Sequence, residues 1–239
     1  MVNYQTIKIS PKFSISVLPS RGFVLSDHQK TEIESIWRHE QLERSTRLFN
    51  GQMFNLIQLE NDKLIGEFVD YKYYLAQLRN PSFIELLHIR PVCISGITLA
   101  GDKILIGQRS SNVTQYQDYY ETVPSGGIDA EINAGSLVNE MIDLPRQFQK
   151  ELWEETGISV TEIKKIEIFS LIYDPNEEMY DLCAEIHVNY SILKESIQPT
   201  EEYPKFQWLS KQELKKFINA HPMDIVPLSL HLLKARHFI

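Results

Sequence analysis

The segment Lys150–Ile158, KELWEETGI, defines a helix and the place where it must stop. Gly157 stands where a left-handed residue ends a helix, and apolar Ile158 follows it. Glu151, Glu154 and Glu155 are spaced i, i+3 and i+4, so they share one helical face. Like charges at that spacing destabilise a helix by a few tenths of a kcal/mol per pair. Acids in the last turn also oppose the macrodipole, by roughly 0.3–1 kcal/mol each. The local sequence thus works against itself, and conflicts of this kind are expected at functional sites.

The sequence around the helix reads as strands. From Tyr4 to Leu18 an alternating stretch suits strands, with Pro11 marking an edge or turn. Ser26 or Asp27 caps a helix over QKTEIESIWRHEQLE, whose Ile33, Ile36 and Trp37 form an apolar stripe. QMFNLIQLE and LIGEFV make a hairpin about Asn61-Asp62, and YYLAQL is a short helix ended by Asn80-Pro81. PVCISGITLA and ILIGQRS form a second hairpin. Beyond the acidic helix, IKKIEIFSLIY and MYDLCAEIHVNY flank the turn DPNEE. KFQWL is a short strand, and Ser210 with Glu213 forms a capping box for KQELKKFINA. A last helix spans roughly Asp224 to His237. The expectation is a mixed α/β (α+β) chain, with a small N-terminal α/β domain over 1–85 and a larger domain over 86–239.

Composition narrows the function. A net charge of −8 argues against a broad nucleic-acid or anionic-membrane surface, though not against a small polyanion held through metal ions. Cys93 and Cys183 are the only cysteines, which disfavours a disulfide framework or thiolate zinc site and suggests a reducing, cytoplasmic setting. No signal peptide or membrane-span pattern is visible. The seven histidines show no ligand spacing.

A hard divalent cation takes oxygen ligands, and Mg²⁺ combines a few carboxylates with water and substrate phosphate. Acids at this spacing fit such a site, or a solvated face screened by Lys150, Lys164 and Lys165. Upstream, ETVPSGGID carries Gly126-Gly127, where backbone can approach a metal or phosphate closely; by itself the pair also fits a plain tight turn.

KELWEETGI resembles the second half of the Nudix box, G-x5-E-x7-R-E-U-x-E-E-x-G-U with U bulky and apolar. Lys150 takes the arginine position, and Glu151, Leu152, Glu154, Glu155, Gly157 and Ile158 follow the pattern. The first half departs from it: counting back, the box glycine falls on Ser136 and the first glutamate on Ile142. Residues 130–144 resemble an insertion, with Glu131, Glu140 or Asp143 as stand-ins for the missing acid. An extended box with an N-terminal extension is similar to the UDP-glucose/UDP-galactose diphosphatase branch of the Nudix hydrolases.

That resemblance implies a Nudix fold, a mixed β-sheet sandwiched between helices. It also implies hydrolysis of a nucleotide-sugar diphosphate with Mg²⁺, or Mn²⁺ in its place. Glu151, Glu154 and Glu155 would hold the metal with a carbonyl of Gly126 or Gly127, and Glu202 would serve as extra ligand or base. Lys150 would pair with a box glutamate without the fork of a guanidinium. Arg109 becomes a candidate phosphate contact, and Tyr119 and Tyr120 candidates for flanking the base. ADP-ribose or dinucleotide hydrolysis, a sensor that binds without cleaving, and a structural protein with an incidental acidic face are the alternatives. Oligomeric state is not readable from these residues.

Overall fold

A computed structural model describes residues 3–43, 48–113, 115–128, 130, 141–194 and 197–239. They form two compact units. Unit 1 takes the described residues of 1–11, 93–126 and 144–239, and unit 2 those of 12–92 and 127–143.

The chain begins in unit 1 with β1 (Gln5–Lys8) and enters unit 2 with β2 (Ser14–Val17). The single alternating stretch of the sequence is thus cut at Pro11, and its halves join different sheets. The division differs from the single boundary expected near residue 85. The first residues go with the later sheet because β1 pairs antiparallel with a strand beginning at Ile163.

Unit 2 continues with α1 (Asp27–Glu43), β3 (Gln52–Glu60), β4 (Lys63–Asp70), α2 (Tyr71–Arg79) and the single turn α3 (Ile84–Leu87). Ser26 is the cap of α1: its hydroxyl accepts from the Gln29 N–H at 3.3 Å, and the Gln29 side chain accepts from the Ser26 N–H at 2.8 Å. The β3–β4 hairpin closes over Asn61-Asp62 without a glycine, with Asn61 at φ +28°. Asparagine is among the few side chains that tolerate positive φ. β2 lies parallel to β4, giving the order β2-β4-β3. Ile33, Val69, Tyr74, Phe83 and Ile89 form the core of this unit.

Unit 1 resumes with β5 (Val92–Ala100), β6 (Lys103–Gln108), β7 (Tyr120–Thr122) and β8 (Ser125–Gly127). Then come α4 (Leu144–Thr156), β9 (Ile163–Asp174), β10 (Met179–Val188), β11 (Lys205–Ser210), α5 (Lys211–Ala220) and α6 (Pro227–Ala235). The sheet runs β1-β9-β10-β5-β6-β11, with β7 beside β6 and β8 beside β5. Alternate residues of β5 face opposite ways. Ile97 and Leu99 join Leu214, Leu232 and Leu233 of α5 and α6, whereas a Cβ on Gly96 would stand 2.6 Å from the Pro124 ring, on the side leading to β8 and α4. The sheet is sandwiched between helices.

The last helix is shorter than the sequence suggests, starting at Pro227 and not near Asp224. Ile225 instead forms a parallel bridge to Tyr120, whose N–H and carbonyl bond Asp224 and Val226. Among the described residues no helix is long and apolar enough to cross a membrane.

Candidate functional site

α4 is held by Phe148 and Leu152, four residues apart on one face and both fully buried. Gly157 ends it at φ +71°, donating its N–H to the Trp153 carbonyl at 2.8 Å. The Thr156 hydroxyl donates to the Leu152 carbonyl at 2.5 Å and accepts from the Ile158 N–H at 3.1 Å. These bonds fix how the three glutamates leave the last turn.

Each glutamate meets a different environment. Glu154 is exposed and paired with Lys150 at 2.6 Å. Glu151 accepts from Gln147 Nε2 at 2.9 Å, and its carboxylate lies hard against Gly126, where a Cβ would stand 2.4 Å from Oε2. Any other residue at 126 would displace that carboxylate. Glu155 is only 4% exposed. Its Oε1 accepts from the Ser125 N–H at 2.9 Å, while Oε2 is buried with no hydrogen-bond partner among the described residues. Burial above all pushes the Glu155 carboxyl well above its ordinary range; the Ser125 N–H opposes this, and Glu202, Glu121 and Glu151 add to the rise.

These side chains line a cleft of about 330 Å³ together with Thr200, Glu201 and Glu202. The opposite wall is a closed turn: the Thr200 hydroxyl accepts from the Tyr203 N–H at 3.0 Å, and the Thr200 N–H donates to the Tyr203 carbonyl at 2.9 Å. The Ser110 N–H donates to the Glu202 carbonyl at 2.7 Å. Helix and loop acids that are about fifty residues apart in sequence thus share one cavity.

The other sequence candidates fall around this cleft or away from it. Arg109 Nη1 bonds the buried Glu121 and lies 3.6 Å from Glu202. Gly127 has open space where a Cβ would project. The Tyr119 ring packs on Tyr116 at 5.5 Å. Tyr120 packs against Phe217 and His221 at 4.8 and 5.0 Å, on the side of the sheet covered by α5 and α6. Asp143 is exposed; Glu131 and Glu140 lie outside the described residues. Ile142, at the position of the missing box acid, is buried and donates its N–H to the Ile15 carbonyl at 2.9 Å.

Sequence reasoning passed over Glu121. It is 3% exposed and accepts from both Arg109 and the Tyr203 hydroxyl, the latter at 2.6 Å. Burial raises its carboxyl, and Arg109 and Tyr203 pull it back. The one available signal was a charged residue between Tyr120 and Thr122-Val123, in a strand otherwise suited to burial.

The donor set suits a hard divalent cation: it is all oxygen, includes one buried and unpartnered carboxylate oxygen, and adjoins a glycine backbone. Among the described residues, no three acidic, imidazole or thiol groups stand close enough to hold an ion as they are.

No family model and no curated protein matches the chain. Solved structures overlap it faintly. The NUDIX domain of Shewanella oneidensis NrtR, solved with ADP ribose, shares 17% identity over 61% of this chain and 86% of its own, with a TM-score of 0.43. The MutT protein from Methanosarcina mazei Go1 shares 18% over 61% and 90%, TM-score 0.39. A bifunctional NMN adenylyltransferase/ADP ribose pyrophosphatase from Francisella tularensis shares 14% over 69% and 47%, TM-score 0.45. The functional reading rests on the site itself.

Proposed function

We propose that the chain is a metal-dependent hydrolase of the Nudix type, cleaving the diphosphate of a nucleoside diphosphate-linked compound. The observation that carries this is Glu155, a buried carboxylate with one unpartnered oxygen, on a cleft it shares with Glu151, Glu154, Glu201 and Glu202. Leaving a carboxylate so costs several kcal/mol of desolvation unless a proton or a cation offsets it.

Glu151, Glu154 and Glu155 would hold Mg²⁺ or Mn²⁺, with a carbonyl of Gly126 or Gly127. The ion supplies charge stabilisation at phosphorus and a more acidic water. Lys150 holds Glu154, and Gln147 orients Glu151. Glu202, on the facing turn, serves as a further ligand or as the base that takes a proton from the attacking water. Arg109 is the candidate phosphate contact and Tyr119 the candidate base neighbour; Tyr120, packed against Phe217 and His221 on the side covered by α5 and α6, is left out of that role. On the extended box we favour UDP-glucose or UDP-galactose, giving UMP and sugar 1-phosphate.

The test is turnover of UDP-sugars, ADP-ribose and dinucleotides with Mg²⁺ or Mn²⁺. UMP release from a UDP-sugar supports the favoured substrate, and AMP release from ADP-ribose or a dinucleotide replaces it. The burial of Ile142 where the box has an acid supports a second reading, a sensor that binds without cleaving. Tight binding with no product from any substrate selects that reading.

A further inference from the structure

We propose that Glu121 is a positioning residue: through Arg109 and Tyr203 it holds the turn that carries Glu202 at the mouth of the acidic cleft. This rests on the hydrolase reading above and adds a residue to it.

Three connections converge on the turn. The Tyr203 hydroxyl donates to Glu121 at 2.6 Å, anchoring the residue next to Glu202 onto β7. The Tyr203 ring lies against Gly107 of β6, where a Cβ would stand 2.7 Å away, so ring and strand are in direct contact. Arg109 Nη1 bonds the same Glu121 oxygen that receives Tyr203, and reaches to 3.6 Å of Glu202. Arg109 Nε meanwhile donates to the Gln115 carbonyl at 3.2 Å. The guanidinium is thus held from two sides before it meets Glu202.

Sheet and turn are also joined through the backbone, by the bond from Ser110 N–H to the Glu202 carbonyl. That bond fixes the main chain but leaves the Glu202 side chain free to rotate; the Glu121–Arg109 pair restrains the side chain. Without Glu121, Arg109 would lose its buried counter-charge, Tyr203 its acceptor and Glu202 its fixed neighbour. Networks of this kind support a reacting group to within a fraction of an ångström.

A double-mutant cycle separates positioning from general support, because residues acting through one group are non-additive. Glu121→Gln keeps the shape and an acceptor for Tyr203. It is expected to lower kcat about tenfold with KM within about twofold, and to raise amide hydrogen exchange at residues 200–203 but not in α4. Placed on Glu202→Gln, it should lower kcat by less than about twofold further. Tyr203→Phe is expected to show the same exchange increase with a smaller loss of kcat. Losses that multiply in the double variant, or exchange at 200–203 unchanged in both Glu121→Gln and Tyr203→Phe, overturn the positioning role while leaving hydrolysis intact. Absence of turnover by the wild-type protein with every substrate overturns the hydrolase reading, and with it any positioning of a reacting group.

Discussion

Two helices of unit 1 place glutamates at opposite ends, and the contrast separates an acid that stabilises its helix from one proposed to hold a cation. In α5, Glu213 sits at the third position, accepts from the Ser210 N–H at 2.8 Å and pairs with Lys103 at 2.7 Å. Its carboxyl falls to about 2, held down chiefly by Lys103 and then by Ser210. In α4, Glu155 sits in the last turn, buried, with one oxygen unpartnered, and its carboxyl is pushed up. The residue type is the same, but one helix is stabilised by its acid and the other endures it. The second arrangement is the one expected of a carboxylate that a cation would offset, as proposed for α4.

The largest break in this comparison is catalytic. Glu155→Gln should lower turnover by about 10²–10³-fold or more, the scale of losing one essential electrostatic contact. Glu213→Gln should leave turnover within about twofold. Equal effects in a steady-state assay would remove the distinction.

Next comes the response to divalent ions. At a hundredfold excess over Kd, a ligand that binds only the native state stabilises it by about 2.7 kcal/mol. Mn²⁺ should therefore raise the melting temperature of the wild type by several degrees and that of Glu155→Gln by far less. A shift of the same size in both would place the ion elsewhere.

The pH dependence sharpens the contrast, because the two acids carry opposite signs. Glu155 has a raised carboxyl, so the folded state binds the extra proton and stability falls as pH rises from the ordinary carboxylate range towards the folded value. In metal-free buffer, Glu155→Gln should gain in melting temperature over the wild type as pH increases from 4 to 8. Glu213 is depressed, so its contribution is present above the ordinary range and lost as pH falls towards about 2. The wild type's advantage over Glu213→Gln should shrink on acidification. Parallel curves for the two variants would contradict this assignment.

The smallest effect belongs to the cap itself. Ser210→Ala should destabilise unit 1 by about 1 kcal/mol, the usual loss of a serine cap, with turnover unchanged. Denaturant melts and the same assay check both halves.

What could be read in advance was local. The Gly157 stop, the Ser210–Glu213 box and the hairpins depend on residues within a few positions of one another, so spacing alone reveals them. Ser26 and Asp27 were both plausible caps, and only the reciprocal bonds with Gln29 decide between them. The glutamate face of α4 was legible as a pattern. The unequal burial of its three members was not, since that depends on Gly126 and Ser125 folding over from a distant strand. Glu121 was missed for the same reason: its partner Tyr203 lies far along the chain, and nothing near it in sequence marks the pairing. β1 lies within the N-terminal domain expected over 1–85, yet its partner strand comes much later in the chain, where no local signal points back to it.

That late partner has a consequence for synthesis. β1 leaves the ribosome long before its partner strand, since Thr6 pairs with Ile172. At 5–20 residues per second the first strand waits on the order of ten seconds or more for its neighbour to be made. Unit 2, whose core lies within residues 33–89, can collapse during that interval. The larger sheet gains β1 only once β9 has been made, so slowing the ribosome should delay that pairing far more than the closing of the residue 33–89 core.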